Sequence, residues 1–417
     1  MNHVLDLHLH SRYSRACSPQ LTLENIGKTA DYKGVDIIAT GDFTYPAWFS
    51  LIEDELVECF PGAGLYKLKN YPEIKAKFIL STELSLVYKD GGKTRRIHLV
   101  IHAPNLGAVK ELNQQLDKRF NIRSDGRPIL GISAPSLMDL IFKIDGRFLV
   151  YPAHIWTPWF SVFGSKSGFD TLEECFKEQT KNIFAIETGL SSDPAMNWRL
   201  SALDNLTILS NSDAHSLTNI AREANIMEIN GEVTYQKIYE NIKNQRGMVM
   251  TIEFYPEEGM YHFDGHRDCK YSCEPAISRK LKNICPVCKK PLIIGVLNRV
   301  EELADRLEGF RPKNAVDFKK VVELDKIIAE ALNIKSRHSL NVKKHYDKML
   351  KLFGNELGIL LDLDLVKLEK EVDQRIIEGI KRVREGQLII KPGFDGEYGE
   401  VKIFSDKEHA EKQKKLL

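Results

Sequence analysis

The chain has 417 residues, 43% of them hydrophobic and 28% charged, a composition that buries a sizeable core and excludes wholesale disorder. Its length predicts two or three domains. Lysine plus arginine number 59 against 58 aspartate plus glutamate, a formal charge of +1 that excludes a tail or coat acting by bulk charge; any nucleic-acid surface must be a local patch.

The first 255 residues repeat one pattern: a short β-branched apolar run, a polar loop, then a stretch with helical spacing of apolar residues. The runs are Val4 to Leu9, Val35 to Thr40, Phe78 to Ser81, Ile97 to Ile101, Phe148 to Tyr151, Ile183 to Ile186 and Leu206 to Ser210, with Val249 to Phe254 as a further strand. Val109 to Phe120, Leu137 to Ile144 and Tyr235 to Gln245 read as intervening helices. This alternation predicts an α/β domain with a mainly parallel sheet, and the count fits a β/α barrel of about seven or eight strands. From Tyr261 to Pro291 the chain is rich in Cys, His, Lys and Arg. Beyond Arg311 amphipathic helices are predicted at Glu323 to Leu332, Val342 to Phe353 and Leu365 to Arg384, the last ended by Gly386. Gln387 to Phe404 reads as a closing hairpin, and the tail SDKEHAEKQKKLL as a solvated helix or frayed end. The domains expected are 1–257, 258–310 and 311–417. No apolar run approaches the roughly 18 residues of a membrane span. The start MNHVLDLHLH lacks the order of a secretory signal, so a cytoplasmic protein with no membrane partner is expected.

Potential metal ligands stand at or just after nearly every predicted strand: Asp6, His8, His10, Asp42, Glu83, His98, His154, Glu187, Asp213 and His215. Barrel enzymes assemble their sites from the C-terminal ends of different strands, so these residues can converge. Strand alternation puts Asp6, His8 and His10 on one face, where two imidazoles can share an ion. Histidine nitrogen and carboxylate oxygen suit zinc, manganese or iron, and Glu83 can bridge two ions. Ion clusters of this kind split phosphate esters by lowering the pKa of a bound water, so neither a Ser nor a Cys nucleophile is required, and Cys17 reads as a packed thiol.

Seven cysteines, four of them between Cys269 and Cys288, do not form a paired disulfide framework. Cys269 and Cys273, then Cys285 and Cys288, predict a tetrahedral four-Cys site for Zn2+; His262 and His266 could substitute but are expected to orient the segment or touch phosphate. Around it Arg267, Lys270, Arg279, Lys280, Lys282, Lys289, Lys290 and Arg299 form the local basic patch, suited to phosphate contact. Tyr45, Trp48, Trp156, Trp159 and Trp198, all near the predicted ligands, are candidates to hold an extruded base, with Asn197 to read its carbonyl.

The segments DLHLHSRYSRACS, GDFTYPAWF, STELSLVY, PAHIWTPWFSVFGSKSGFD, ETGLSSDPAMNWRLS, SNSDAHS, GMYHFDGHRDC, CPVCKKPLIIGVLNRVEELADR and VREGQLIIKPGFDGEYGEVKIF carry a resemblance over almost the whole chain. The sequence resembles the polymerase and histidinol phosphatase (PHP) superfamily of metal-dependent phosphoesterases and, within it, the endonuclease Q family of DNA-repair nucleases. The resemblance implies a PHP-type distorted (β/α)7 barrel, then the small zinc-binding module and a helical C-terminal domain that binds DNA. It implies two or three divalent cations (Zn2+, Mn2+ or Mg2+): His8, His10, Glu83 and Asp213 at one, Glu83, His98 and His154 at a second. A third would take His215 with Asp42. The sequence departs from the superfamily pattern by placing Phe43 after Asp42 and no histidine in YSRACS, so Glu187 or Asp193 is the alternative for that site. Asp6, Asp42, Glu187 and Asp193 are thus the candidates for catalytic support. The implied reaction is cleavage 5′ to a damaged nucleotide, leaving a 3′-hydroxyl and a 5′-phosphate, in DNA containing uracil, hypoxanthine, xanthine or an abasic site. A sliding clamp is a further candidate partner, although KQKKLL lacks the aromatic pair of a strong clamp peptide. Two rivals stand beside this reading: a PHP phosphatase on a small phosphorylated metabolite, which would need neither zinc module nor basic patch, and a non-catalytic DNA-binding PHP factor. No G-x-x-x-x-G-K-[ST] phosphate loop supports a helicase.

Overall fold

The computed structural model describes residues 1–408; residues 409–417, which include KQKKLL and most of the tail expected as a solvated helix or frayed end, lie outside them. An eight-stranded mixed sheet runs in the order Asp317–Lys320, Met248–Glu253, Ala224–Glu228, Asn2–Asp6, Ile37–Ala39, Lys77–Ile79, Leu65–Leu68, Leu56–Glu58. A four-stranded sheet is ordered Ile129–Leu130, Ser81–Asp90, Lys93–His102, Leu149–Pro152, and Ala185–Glu187 pairs in parallel with Thr207–Leu209. The expected succession of strands and helices is therefore present, hydrogen-bonded as separate sheets rather than one closed ring. The pairing is not mainly parallel as expected: Asn2–Asp6 with Ala224–Glu228, Ala224–Glu228 with Met248–Glu253, and Lys93–His102 with both Ser81–Asp90 and Leu149–Pro152 are antiparallel, the Ser81–Asp90 pair because only Gly91 and Gly92 join its strands. Leu80 alone separates Lys77–Ile79 from Ser81–Asp90, and a parallel bridge from Leu9 to Ala214 links the first strand's extension to the loop after Thr207–Leu209.

Side-chain alternation positions the site. Leu5, Leu7 and Leu9 enter the apolar core while Asp6, His8 and His10, equally buried, face the other way. The intervening helices have local reasons to start where they do. Thr22, Asn105, Ser133 and Thr234 each accept a hydrogen bond from a backbone N–H in the first turn of Leu23–Lys33, Leu106–Asp117, Ala134–Ile144 and Tyr235–Lys243.

The C-terminal helices Leu324–Ala331 and Leu340–Phe353 and the hairpin of Ile389–Lys391 with Glu400–Lys402 form where expected. The single helix expected over 365–384 is instead a short 3₁₀ turn, Leu365–Leu368, and a helix, Gln374–Glu385. Asp364 and Asp373 divide it, each side chain accepting from the N–H two residues on, so that Asp373 caps a new helix instead of continuing an old one. These helices enclose their own core around Ile327, Ile328, Ile359, Ile376 and Ile380. They are tied to the α/β part by the strand Asp317–Lys320, which lies in the main sheet beside Met248–Glu253, and by a buried Lys33–Glu356 pair at 2.8 Å. Among the described residues no helix is long and apolar enough to cross a membrane.

Candidate metal centre and nucleic-acid interface

Two groups of ligand atoms, each mutually within 4.8 Å, converge at one mouth: His8, His10 and Asp213 form one, Glu83, His98 and His154 the other. Glu83 and His98 lie on adjacent antiparallel strands as diagonal neighbours, Glu83 opposite Val100 and His98 opposite Ser85, so both project to one face. Glu83 stands between the groups. Its Oε1 is 2.9 Å from His98 Nδ1 and 3.2 Å from His154 Nε2; its Oε2 is 3.4 Å from His10 Nε2 and 3.8 Å from His8 Nε2. Asp213 Oδ1 is 3.1 Å from His10 Nε2 and 3.8 Å from His8 Nε2. Yet His8 Nε2, His10 Nε2 and Asp213 Oδ1 are buried without a hydrogen-bond partner among the described residues. Buried polar atoms are rarely left so. Lone pairs of neutral imidazole and carboxylate aimed at one space are the donor set of a divalent transition metal, so the residues fit the implied ions. Asp42, His154 and Asp213 hold positive φ angles of 47°, 28° and 44°, a strained region for side-chain-bearing residues, and the strain gathers at this mouth.

A second layer holds these ligands in place. Glu187 accepts from His8 Nδ1 at 3.0 Å, from the His154 backbone N–H at 2.8 Å and from Asn211 Nδ2 at 2.8 Å. Asp42 accepts from His10 Nδ1 at 3.0 Å, and its other oxygen from the Ser11 N–H and the Ser11 and Ser14 hydroxyls. Both carboxylates thereby fix the tautomer that leaves Nε2 free, the orienting arrangement of metal-binding histidines. Asp42 and Glu187 are thus placed behind the ligands and not among them. Asp6 lies deeper, accepting from Ser212 and Ala221 N–H groups, and burial pushes its carboxyl up to about 6. Asp193 is engaged elsewhere: it caps Pro194–Asn197 and pairs with Lys320 at 2.9 Å. His215 stands at the rim with Nδ1 2.9 Å from the Asp213 carbonyl.

Electrostatics follow from this packing. Burial lowers an imidazole's pKa, yet the carboxylates of Glu187 and Glu83 hold His8 well above its ordinary value, and Asp42 and Asp213 do the same for His10. Burial raises the Glu83 carboxyl, but His98 and Arg127 hold it well below the usual range. Burial takes His98 down to about 4, leaving it neutral at pH 7. The Cys17 thiol is pushed up to about 12 by burial and by the Asp42 and Asp213 carboxylates, which suits a packed thiol and not a nucleophile.

The cysteine site differs from expectation. The atoms within 4.8 Å of one another belong to His266, Cys269, Cys285 and Cys288. Cys273 is outside that set, although it packs in the same small cluster. The cause is strand register: His266 and Cys269 flank the turn between Asp264–His266 and Tyr271–Cys273, whereas Cys273 lies opposite Asp264 at the far end of that ladder. A Cys3His set suits zinc as well as four cysteines do. Arg267, Lys270, Arg279 and Lys280 are exposed. Arg279 pairs with Glu301, while Lys270, Lys280, Lys282, Lys289 and Lys290 form no ion pair among the described residues. Arg299, expected in the basic patch, is instead buried, donating to the Phe163 and Phe169 carbonyls and pairing with Asp170 and Glu302.

The aromatic candidates divide. Trp48 is buried and donates to the Gly41 carbonyl at 2.9 Å. Trp156 is buried and donates to Asn197 Oδ1 at 2.8 Å, while Asn197 Nδ2 donates to Ser192 Oγ and the Asp193 carbonyl, so this amide is fully occupied. Trp198 packs edge-on against Phe318. Trp159 and Tyr45 reach the surface, Trp159 against Tyr261 and Tyr45 stacked on Tyr13. The sequence reading missed Arg127, whose Nη1 donates to Glu83 Oε2 at 2.9 Å, and Asn211; neither sits in a ligand-like spacing.

Comparison with known proteins places this geometry. The MJ0043 C-terminal domain family matches residues 323–387. The uncharacterized protein MJ0043 of Methanocaldococcus jannaschii is 31% identical over 252 residues, which are 59% of this chain and 31% of MJ0043, so the match spans about a third of that relative's length. The crystal structure of the lesion-specific endonuclease PfuEndoQ from Pyrococcus furiosus superposes with a TM-score of 0.84 at 29% identity, covering 99% of both chains. An endonuclease Q complex with a 27-mer duplex substrate, with an abasic lesion at the active site, superposes with a TM-score of 0.84 at 30% identity, covering 97% of this chain and 98% of that one. At that identity over the full length of both proteins, the chain belongs to the endonuclease Q family.

Proposed function

We propose that this protein is a DNA-repair endonuclease that hydrolyses the phosphodiester on the 5′ side of a damaged nucleotide, at a uracil, hypoxanthine, xanthine or abasic site. The observation that carries this reading is the convergence of two ligand groups on the shared carboxylate Glu83, in a chain alike over its whole length to an endonuclease crystallised on damaged duplex DNA. His8, His10 and Asp213 would hold one cation and His98 and His154 a second, with Glu83 facing both. Bound divalent cations supply a water acidic enough to ionise near neutral pH and positive charge against the phosphate. Glu187 and Asp42 keep the His8 and His10 rings in register, and His98, neutral at pH 7, is ready to coordinate without losing a proton. His215 at the rim is the candidate for a third cation. Zinc at His266, Cys269, Cys285 and Cys288 would fix the segment that carries the unpaired lysines, and these would contact phosphates around the lesion. Trp159, exposed, and Tyr45, half-buried on Tyr13, are the candidate flat surfaces for the extruded base.

A small phosphorylated metabolite is a poorer substrate for this architecture, since the zinc segment and the helical part share in the full-length likeness to endonuclease Q. The test is a duplex oligonucleotide carrying one deoxyuridine, deoxyinosine or abasic site. Purified protein with Mn2+ or Mg2+ nicks immediately 5′ of the lesion and spares the undamaged duplex; equal cutting of both, or none, overturns the assignment.

A further inference from the structure

Among the described residues one guanidinium stands against the ligand groups. Arg127 Nη1 lies 2.9 Å from Glu83 Oε2, the same oxygen that faces His10 and His8. Among the described residues no other Lys or Arg forms an ion pair with a member of either group. The loop that carries it is seated on the metal-binding loop: the Gly126 N–H donates to the Tyr13 carbonyl at 3.0 Å, and Asp125 Oδ1 accepts from the Arg15 and Arg127 backbone N–H groups. A Cβ at Gly126 would collide with Ser14 Oγ and the Asp42 carboxylate, so only glycine permits this approach. Among the described residues the guanidinium has no acceptor besides Glu83 for its remaining N–H groups, and the side chain is 23% exposed.

We propose that Arg127 grips the scissile phosphodiester, its guanidinium donating to non-bridging oxygens once Glu83 Oε2 is engaged by cations. This rests on the metal-dependent hydrolysis proposed above. A guanidinium is the planar fork that matches phosphate oxygens, and a donor held in place before the substrate arrives costs no reorganisation. A contact made only to neutralise Glu83 would not require the rest of that guanidinium to stay unpaired and partly exposed.

The experiment compares wild type, Arg127→Ala and Arg127→Lys as full-length, metal-loaded proteins, with bound metal per chain measured by plasma mass spectrometry and folding by Tm. Substrates are a single-abasic-site duplex, the same duplex with Rp or Sp phosphorothioate at the scissile phosphate, and bis(p-nitrophenyl) phosphate. Arg127→Ala retains its metal, cuts in single turnover about 100-fold more slowly and loses the discrimination against one phosphorothioate diastereomer that wild type displays; Arg127→Lys recovers part of the rate. The slope of log affinity against log salt falls by about one. Cutting within threefold of wild type overturns the assignment, as does a loss explained wholly by missing metal with the phosphorothioate preference intact. If wild type leaves the lesion duplex whole but hydrolyses bis(p-nitrophenyl) phosphate, the lesion reading fails while the Arg127 effect is still read on the small diester; an equal rate for Arg127→Ala there overturns the proposal by itself.

Discussion

Glu187→Gln isolates the layer behind the metal ligands. Donors from three residues converge on the two carboxylate oxygens: Asn211 Nδ2 on Oε1, the His154 N–H on Oε2, and His8 Nδ1 on both, at 3.0 Å from Oε1 and 3.2 Å from Oε2. Glutamine keeps one acceptor and turns the other into a donor, so in either orientation the amide N–H₂ faces N–H groups in a fully buried setting. Leaving a buried donor unpaired costs about 1–3 kcal/mol of folding stability. If the amide faces His8, the ring is also free to rotate away from the tautomer that leaves Nε2 available. Loss of such an orienting partner typically weakens metal affinity by about 10–100-fold, or about 1.4–2.8 kcal/mol. The two effects separate by assay: Tm of the metal-free protein reads the first, and competition with a chromophoric chelator for Zn2+ or Mn2+ reads the second. Nicking of lesion DNA recovers with added metal, because the ligands themselves are intact. An unchanged Tm with a metal Kd within about twofold of wild type would refute the reasoning, since donors from three residues cannot lose an acceptor in a sealed site at no cost.

Gly189 has φ 59°, and a Cβ there would strike the Cα and Cβ of His154; Gly189→Ala lowers Tm and removes one bound metal equivalent, measured by mass spectrometry. Zinc content distinguishes the cysteine ligands: Cys285→Ser and His266→Ala lose the structural zinc, while Cys273→Ser keeps it. Metal uptake at the mouth releases protons. His8 and His10 are held above their ordinary pKa in the metal-free protein and must be neutral to coordinate, so metal affinity rises with pH through the range in which they lose their protons. Calorimetry in two buffers of different ionisation enthalpy detects the release near pH 7, and buffer-independent heats contradict it.

The residues that converge at the candidate metal centre were legible in the sequence because a strand's period of two and the habit of placing polar groups at strand ends leave the signature DLHLH, TGDF and SNSDAH. The strand Ser81–Asp90 was read only at its first residue, since the buried polar Ser81, Thr82, Glu83 and Ser85 give it the look of a loop. Roles were harder to assign than positions. Whether Asp42 or Glu187 touches an ion or the histidine behind it depends on a distance of one residue layer, which no spacing along the chain encodes. A Cys pair is the stronger pattern in one dimension and favours Cys273, while strand register in the hairpin brings His266 to Cys269, Cys285 and Cys288. Likewise Arg299 counts toward a basic patch in one dimension and disappears into a buried network in three.

The most direct measurement is anomalous diffraction from crystals of the full chain grown with Mn2+ or Zn2+. Two peaks are expected on either side of the Glu83 carboxylate, one about 2.0–2.2 Å from His8 Nε2 and His10 Nε2 and the other at that distance from the His98 and His154 nitrogens. Density for ions elsewhere, with His8, His10, His98 and His154 turned away from Glu83, would contradict the account.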